Sequence, residues 1–167
     1  MPIKIPDQLP ALSILDNENI FVMSENRAAS QEIRPMQVAI LNLMPNKIET
    51  EVQILRMLSN TPLQINIEFV PIHKNVSKNT PEEHLENFYH LFDDIKHKQY
   101  DGLIITGAPL ALLDYSQVKF WDKICEVFDW AEKNVTSTMF SCWAAHAALY
   151  HHYGLKRHLR KEKLLGV

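Results

Sequence analysis

The stretch Thr136-Ser137-Thr138-Met139-Phe140-Ser141-Cys142-Trp143-Ala144-Ala145-His146-Ala147-Ala148-Leu149-Tyr150 changes character in its middle. Its first half has the β-branched and apolar residues of a short buried strand, and its second half is Ala-rich and helical by propensity. The chain must therefore turn sharply near Cys142. A cysteine at that turn stands at a helix N-terminus, where unpaired main-chain N–H groups and the positive end of the dipole favour a thiolate and can hold a developing oxyanion. This is the arrangement of a nucleophile elbow, without the flanking glycines of the hydrolase motif. The competing reading is a small hydrophobe buried where a strand meets a helix.

Upstream, residues 35–45 carry the unbroken apolar run Val38-Ala39-Ile40-Leu41, as in a strand covered on both faces. Asn46 followed by Glu49 predicts a capped helix start, and Ile48, Val52, Leu55 and Met57 or Leu58 recur near helical spacing. Residues 63–70 alternate, which predicts a strand with one less buried face. Thr80-Pro81-Glu82-Glu83 opens another helix, with Thr80 as cap, Pro81 at the first helical position and Glu83 closing a capping box. Its apolar positions run through Leu85, Phe88 and Phe92 towards Ile95. Gly102-Leu103-Ile104-Ile105-Thr106 is a third core strand, stopped by Gly107-Ala108-Pro109. Phe120, Ile124, Val127, Phe128 and Ala131 form the stripe of a further helix. Residues 1–35, with several prolines and a short apolar run at 19–23, read as an arm packed on a domain formed by 36–167.

Strands separated by helices predict an α/β fold, an open and mainly parallel sheet with right-handed crossovers and helices on both faces. Sites in such sheets lie beyond the carboxyl ends of the strands, which selects the loops 44–50, 106–112 and 141–144. All three open on one edge, and Cys142 is in the third.

The 167 residues suffice for one domain, and the net charge of −3 argues against a nucleic-acid binder. Two cysteines, Cys125 and Cys142, give neither a disulfide framework nor a zinc spacing. No apolar segment reaches membrane-spanning length and the N-terminus has no signal core, so a cytoplasmic location and no membrane partner are expected.

Within the selected loops, Gly107 allows positive φ or close approach of a substrate, or is an ordinary strand-stopping turn. Lys47 would hold an anionic group or be a solvated lysine; a cation in a first helical turn is poorly placed for the helix, which favours function. His146 lies one turn after Cys142, but a base must reach the thiol from across the cleft. His151, His152 and His158 have no regular ligand spacing with a cysteine, so no metal is expected. The basic run 156–163 is a solvated face or an anion clamp for a carboxylate or phosphate. Cys125 is expected to be inert.

Leu41-Asn42-Leu43-Met44-Pro45-Asn46-Lys47-Ile48-Glu49-Thr50-Glu51, Asn79-Thr80-Pro81, Thr106-Gly107-Ala108-Pro109-Leu110 and Cys142-Trp143-Ala144 resemble the homoserine O-succinyltransferase and O-acetyltransferase family of methionine biosynthesis, over the whole chain. The resemblance implies a flavodoxin-like fold similar to class I glutamine amidotransferases. It implies that Cys142 takes an acyl group from succinyl- or acetyl-coenzyme A as co-substrate, with no permanently bound cofactor, and passes it to L-homoserine. Trp143 N–H and the Gly107, Ala108 and Leu110 loop are then the implied oxyanion donors, Lys163 a substrate-binding residue and Lys47 an assisting one. Ala111 stands at the position that sorts acyl donors, where a small residue resembles the roomier succinyl-type pocket. A homodimer is expected. L-Serine is the alternative acceptor, since one methylene separates weakly. Family members continue more than a hundred residues past the position of Val167 and carry a triad His and Glu there. Residues 36–167 would then be the N-terminal part of an acyltransferase domain, either a fragment or a short form that is weakly active, inactive, or a noncatalytic binding domain.

Overall fold

The computed structural model describes residues 3–28, 34–73, 79–158, 160 and 162. Its strands are β1 (Ile3–Ile5), β2 (Met23–Ser24), β3 (Met36–Leu41), β4 (Ile65–Val70), β5 (Tyr100–Ile105) and β6 (Val135–Phe140). They form a single sheet in the order β2-β1-β4-β3-β5-β6 with every pair parallel. The helices are α1 (Ala11–Asn17), α2 (Glu25–Ala28), α3 (Lys47–Leu58), α4 (Glu82–Phe88), α5 (Phe92–Ile95), α6 (Trp121–Asn134) and α7 (Trp143–Tyr153). This is the open α/β, flavodoxin-like arrangement that the alternation of strands and helices predicts.

The central strand explains the two-layer core. Along β3, Val38 and Ile40 point to one face, while Ala39 and Leu41 point to the other. The first face packs Leu15 of α1, Leu55 of α3 and Phe69 of β4; the second packs Ile105 with Ile124 and Phe128 of α6 and the small residues Ala144 and Ala147 of α7. Chain order reverses across β3, with β4 on one side and β5 on the other. The crevice beyond that reversal is where such sheets place ligands.

Five local expectations change. The segment 1–35 is more than a packed arm, because Ile3 and Ile5 are fully buried in β1 and Met23 pairs beside it in β2. The polar and proline-rich context hid strands this short. Asn46 does not cap α3 with its side chain; its Oδ1 accepts from Asn79 Nδ2 at 3.0 Å. Thr80 does not cap the helix it precedes, since its hydroxyl accepts the Lys47 N–H of α3 at 3.4 Å. The helix expected to run to Ile95 breaks at Tyr89, which is extended and bridges Phe69, with His90 N–H donating to Phe69 O at 2.9 Å. Finally, β6 lies at the sheet edge rather than in its middle, so Thr136, Ser137 and Met139 are exposed.

Candidate active site

Cys142 joins β6 to α7 with φ 51° and ψ −116°, a left-handed φ that costs a non-glycine residue about 1–3 kcal/mol. The turn leaves the residue exposed, which removes the reading of a buried small hydrophobe. On one side of it Ser141 N–H donates to Ile105 O of β5 at 3.0 Å; on the other, Ala144 N–H donates to Ser141 O at 3.0 Å and Ala145 N–H to Cys142 O at 3.1 Å. The Trp143 N–H between them has no acceptor among the described residues, and neither have those of Gly107 and Ala108. Leu110 differs from the expectation. Its N–H donates to Ala108 O at 2.8 Å, so that amide is already occupied.

The three loops selected from strand order do meet. Leu43 N–H donates to the Thr106 hydroxyl at 2.8 Å, and Thr106 N–H donates to Leu41 O at 3.1 Å. Gly107 has no positive φ; what requires glycine is proximity. A Cβ there would stand 3.1 Å from Cys142 Cβ and 3.7 Å from Sγ. Gly107→Ala is therefore expected to push the thiol by a few tenths of an ångström and to slow any reaction of the Cys142 thiol roughly tenfold. Steady-state rates measured beside an unchanged unfolding midpoint would check this.

Two cavities share Cys142. One, of about 530 Å³, is mainly apolar and includes Met44, Ile54, Met57 and Met139. The other, of about 390 Å³, brings Cys142 together with Ala111, Trp143, His146 and Arg157. His146 thus faces the thiol's cavity, yet no hydrogen bond joins its ring to Cys142 Sγ, as expected of a residue on the elbow's own helix.

Lys47 is neither solvated nor open to a ligand beside the thiol. It is 5 % exposed, and its ammonium donates to Asn42 O at 2.6 Å and Met44 O at 3.4 Å, tying down the end of β3. It lines neither cavity that contains Cys142. One turn on, Glu51 is fully buried, accepts from Tyr89 OH at 2.6 Å and lies 3.0 Å from His84 Nε2. Asn42 Nδ2 in turn donates to Tyr89 OH at 3.0 Å.

Burial pushes the Lys47 ammonium down from 10.5 to about 8, with the Glu51 carboxylate opposing. Between those values the unfolded chain keeps a proton the folded chain has released, so stability rises with pH. Tyr89, raised above its ordinary 10.0 by burial and then by Glu51, acts in the opposite direction above that pH. The window for Lys47 is therefore about pH 8 to 10. Urea denaturation at about pH 7.5 and about pH 9.5 should show a gain of roughly 2 kcal/mol that Lys47→Met lacks.

A family profile described as homoserine O-succinyltransferase matches residues 2–167. The chain belongs to the homoserine O-succinyltransferase family. It is 65 % identical over 167 residues to the homoserine O-succinyltransferase of Pseudoalteromonas atlantica, covering all of this chain and 54 % of that protein. It is similar to those of Shewanella loihica, at 61 % over 52 % of its length, and Alteromonas mediterranea, at 59 % over 54 %. The chain thus spans about half the length of the curated relatives it matches.

In this member of the homoserine O-succinyltransferase family, Cys142, Trp143, Gly107, Ala108 and Ala111 come together, Lys47 stands apart at the end of β3, and Lys163 lies outside the described residues. Among the described residues, Asp129, His151 and His152 are grouped closely enough to hold a metal ion. Both histidines already pair with carboxylates of α6, His151 with Asp129 at 2.6 Å and His152 with Glu132 at 3.2 Å, and none of the three lines a cavity with Cys142. Burial and the neighbouring Asp129 and Asp122 push the Cys125 thiol up to about 11, in keeping with an inert residue. No helix among the described residues is long and apolar enough to cross a membrane.

Sequence reasoning missed Glu51, His84 and Tyr89 as partners around Lys47, and missed Arg157 as a wall of the thiol's cavity. The first group had a readable signal, since Lys47, Glu51, Ile54 and Leu55 lie on one helical face. An apolar stripe built on Ile48 and Met57 pointed elsewhere.

Proposed function

We propose that the protein is an O-acyltransferase that carries an acyl group from acyl-coenzyme A to the hydroxyl of L-homoserine through a thioester on Cys142, in methionine biosynthesis. The observation that supports this most is the exposed Cys142 on a left-handed turn, with the Trp143, Gly107 and Ala108 amides lacking acceptors beside it. In the first step Cys142 sulfur attacks the donor carbonyl, its bond to carbon forms, and coenzyme A leaves as the thiol. In the second, the homoserine oxygen attacks the same carbon, its proton goes to a base, and the Cys142 sulfur departs. Exchange of one thioester for another is close to neutral, so splitting the transfer lets one site serve a bulky donor and a small acceptor in turn. The family resemblance implies that the base is a His–Glu pair outside the residues of this chain.

Succinyl is the proposed donor group. Ala111 on the wall of the thiol's cavity leaves room for a chain longer than acetyl. Lys47 serves here by anchoring the loop that carries Leu43 against Thr106. The test is to incubate the protein at its full encoded length with succinyl-coenzyme A, stop with acid, and map the mass increase. An adduct on Cys142 that disappears when homoserine is added is the expected result; product formed at full rate with no adduct at any time excludes the covalent route.

A further inference from the structure

We propose that Arg157 receives the terminal carboxylate of a dicarboxylic acyl donor bound at Cys142. This rests on the acyl-enzyme reading and adds the group that would distinguish succinyl from acetyl. A small residue at Ala111 removes an obstacle to a charged donor without supplying the cation that would bind it. The basic run after α7 is where such a cation would come from, and its Arg157 lines the same cavity as Cys142 and Ala111.

Three features make this arginine a prepared anion site rather than a solvated side chain. Its guanidinium is held from two directions, with Nη1 donating to Leu110 O at 3.3 Å and Nη2 to Leu113 O, on the two sides of Ala111. It also lies 4.8 Å from the centre of the Tyr115 ring, so its plane is fixed before any ligand arrives. Second, those bonds go to neutral carbonyls. Among the described residues no carboxylate lies within ion-pair distance of Arg157, whereas Arg56, on the other side of the molecule's core, is forked onto Glu18 at 2.6 and 2.7 Å. Third, the charge balance of the cavity needs it. Asp114 lines the same space and would repel a second carboxylate, and the remaining titratable groups there are Cys142, His146 and His158.

A guanidinium keeps donors free after serving two carbonyls, and its fork matches a carboxylate. The wall also includes Trp143, whose indole N–H is buried and has no hydrogen-bond partner among the described residues. A succinyl group carries its carboxylate on the far side of two methylenes from the carbonyl that Cys142 attacks. Acetyl, which lacks only that extension, is the natural control.

The experiment compares thioester formation on Cys142 from succinyl- and acetyl-coenzyme A in single turnover, on the full encoded protein, for wild type, Arg157→Gln and Arg157→Lys. The succinyl-to-acetyl ratio of kcat/KM should fall about 10- to 100-fold in Arg157→Gln, with part of the loss recovered in Arg157→Lys. Equal losses with both donors would mean that Arg157 only holds the 110–113 loop, and would overturn the assignment. So would an unchanged donor ratio joined to a raised KM for homoserine, which would move the site to the acceptor's carboxylate. If wild-type Cys142 takes no acyl group from either donor, it is the acyl-enzyme reading that fails.

Discussion

Cys142→Ala is expected to lower the proposed homoserine acylation at least about a thousandfold while leaving the fold intact. The residue is exposed and makes no core contact that alanine would forfeit, so the loss falls on chemistry alone. With the sulfur gone, the direct attack of homoserine on the bound donor would have to proceed from amides placed for a different tetrahedral centre. Alanine keeps a Cβ at the left-handed position and therefore keeps the strain of the turn. An unchanged unfolding curve alongside the lost rate, and the disappearance of the acid-stable adduct, would together identify the sulfur as the acyl carrier. A variant retaining a tenth of the activity would refute it.

Glu51→Leu should be the most destabilising of the polar substitutions, by about 3–5 kcal/mol. Its carboxylate is fully buried and collects the Tyr89 hydroxyl and His84 Nε2, with the Lys47 ammonium one turn away. A leucine of similar volume fills the space but leaves two polar groups and a cation without their counterpart. Glu51→Gln, which retains an acceptor, should cost less. The pairing predicts non-additivity as well, since Glu51→Leu in a Lys47→Met background no longer strands the ammonium. A double-mutant cycle by urea denaturation should give a coupling of roughly 1–2 kcal/mol.

The legible parts of this molecule were those with one cause. β3 and β5 are apolar on both faces because both faces are covered, and the elbow at Cys142 shows as a change from β-branched to Ala-rich residues over a few positions. Strand order then placed three loops on one edge before any distance was known. The failures came where a side chain serves a distant partner instead of its neighbour. Thr80 bonds to Lys47 rather than to its own helix, and Tyr89 leaves the helical pattern to reach Glu51 and Asn42. Local rules of capping and periodicity cannot anticipate such bonds, because the competing partner is more than thirty residues away in sequence. Arg157 was visible only as part of a charge run, since its aim depends on how α7 ends. Gly154, left-handed at φ 67°, closes that helix and redirects the chain towards the 110–113 loop.

The pairing of β1 with β4 also has a bearing on how the polypeptide reaches its final shape. Ile3 lies opposite Ile65, so β1, which can pair with β2 nearby in sequence, has no rung to bond on its other side until β4 has been made. Closing so long a loop costs little at equilibrium but delays the step in time. Until then that edge of β1 remains unpaired, and a bulky fusion placed ahead of it would be felt first as slow maturation and only afterwards as lost activity.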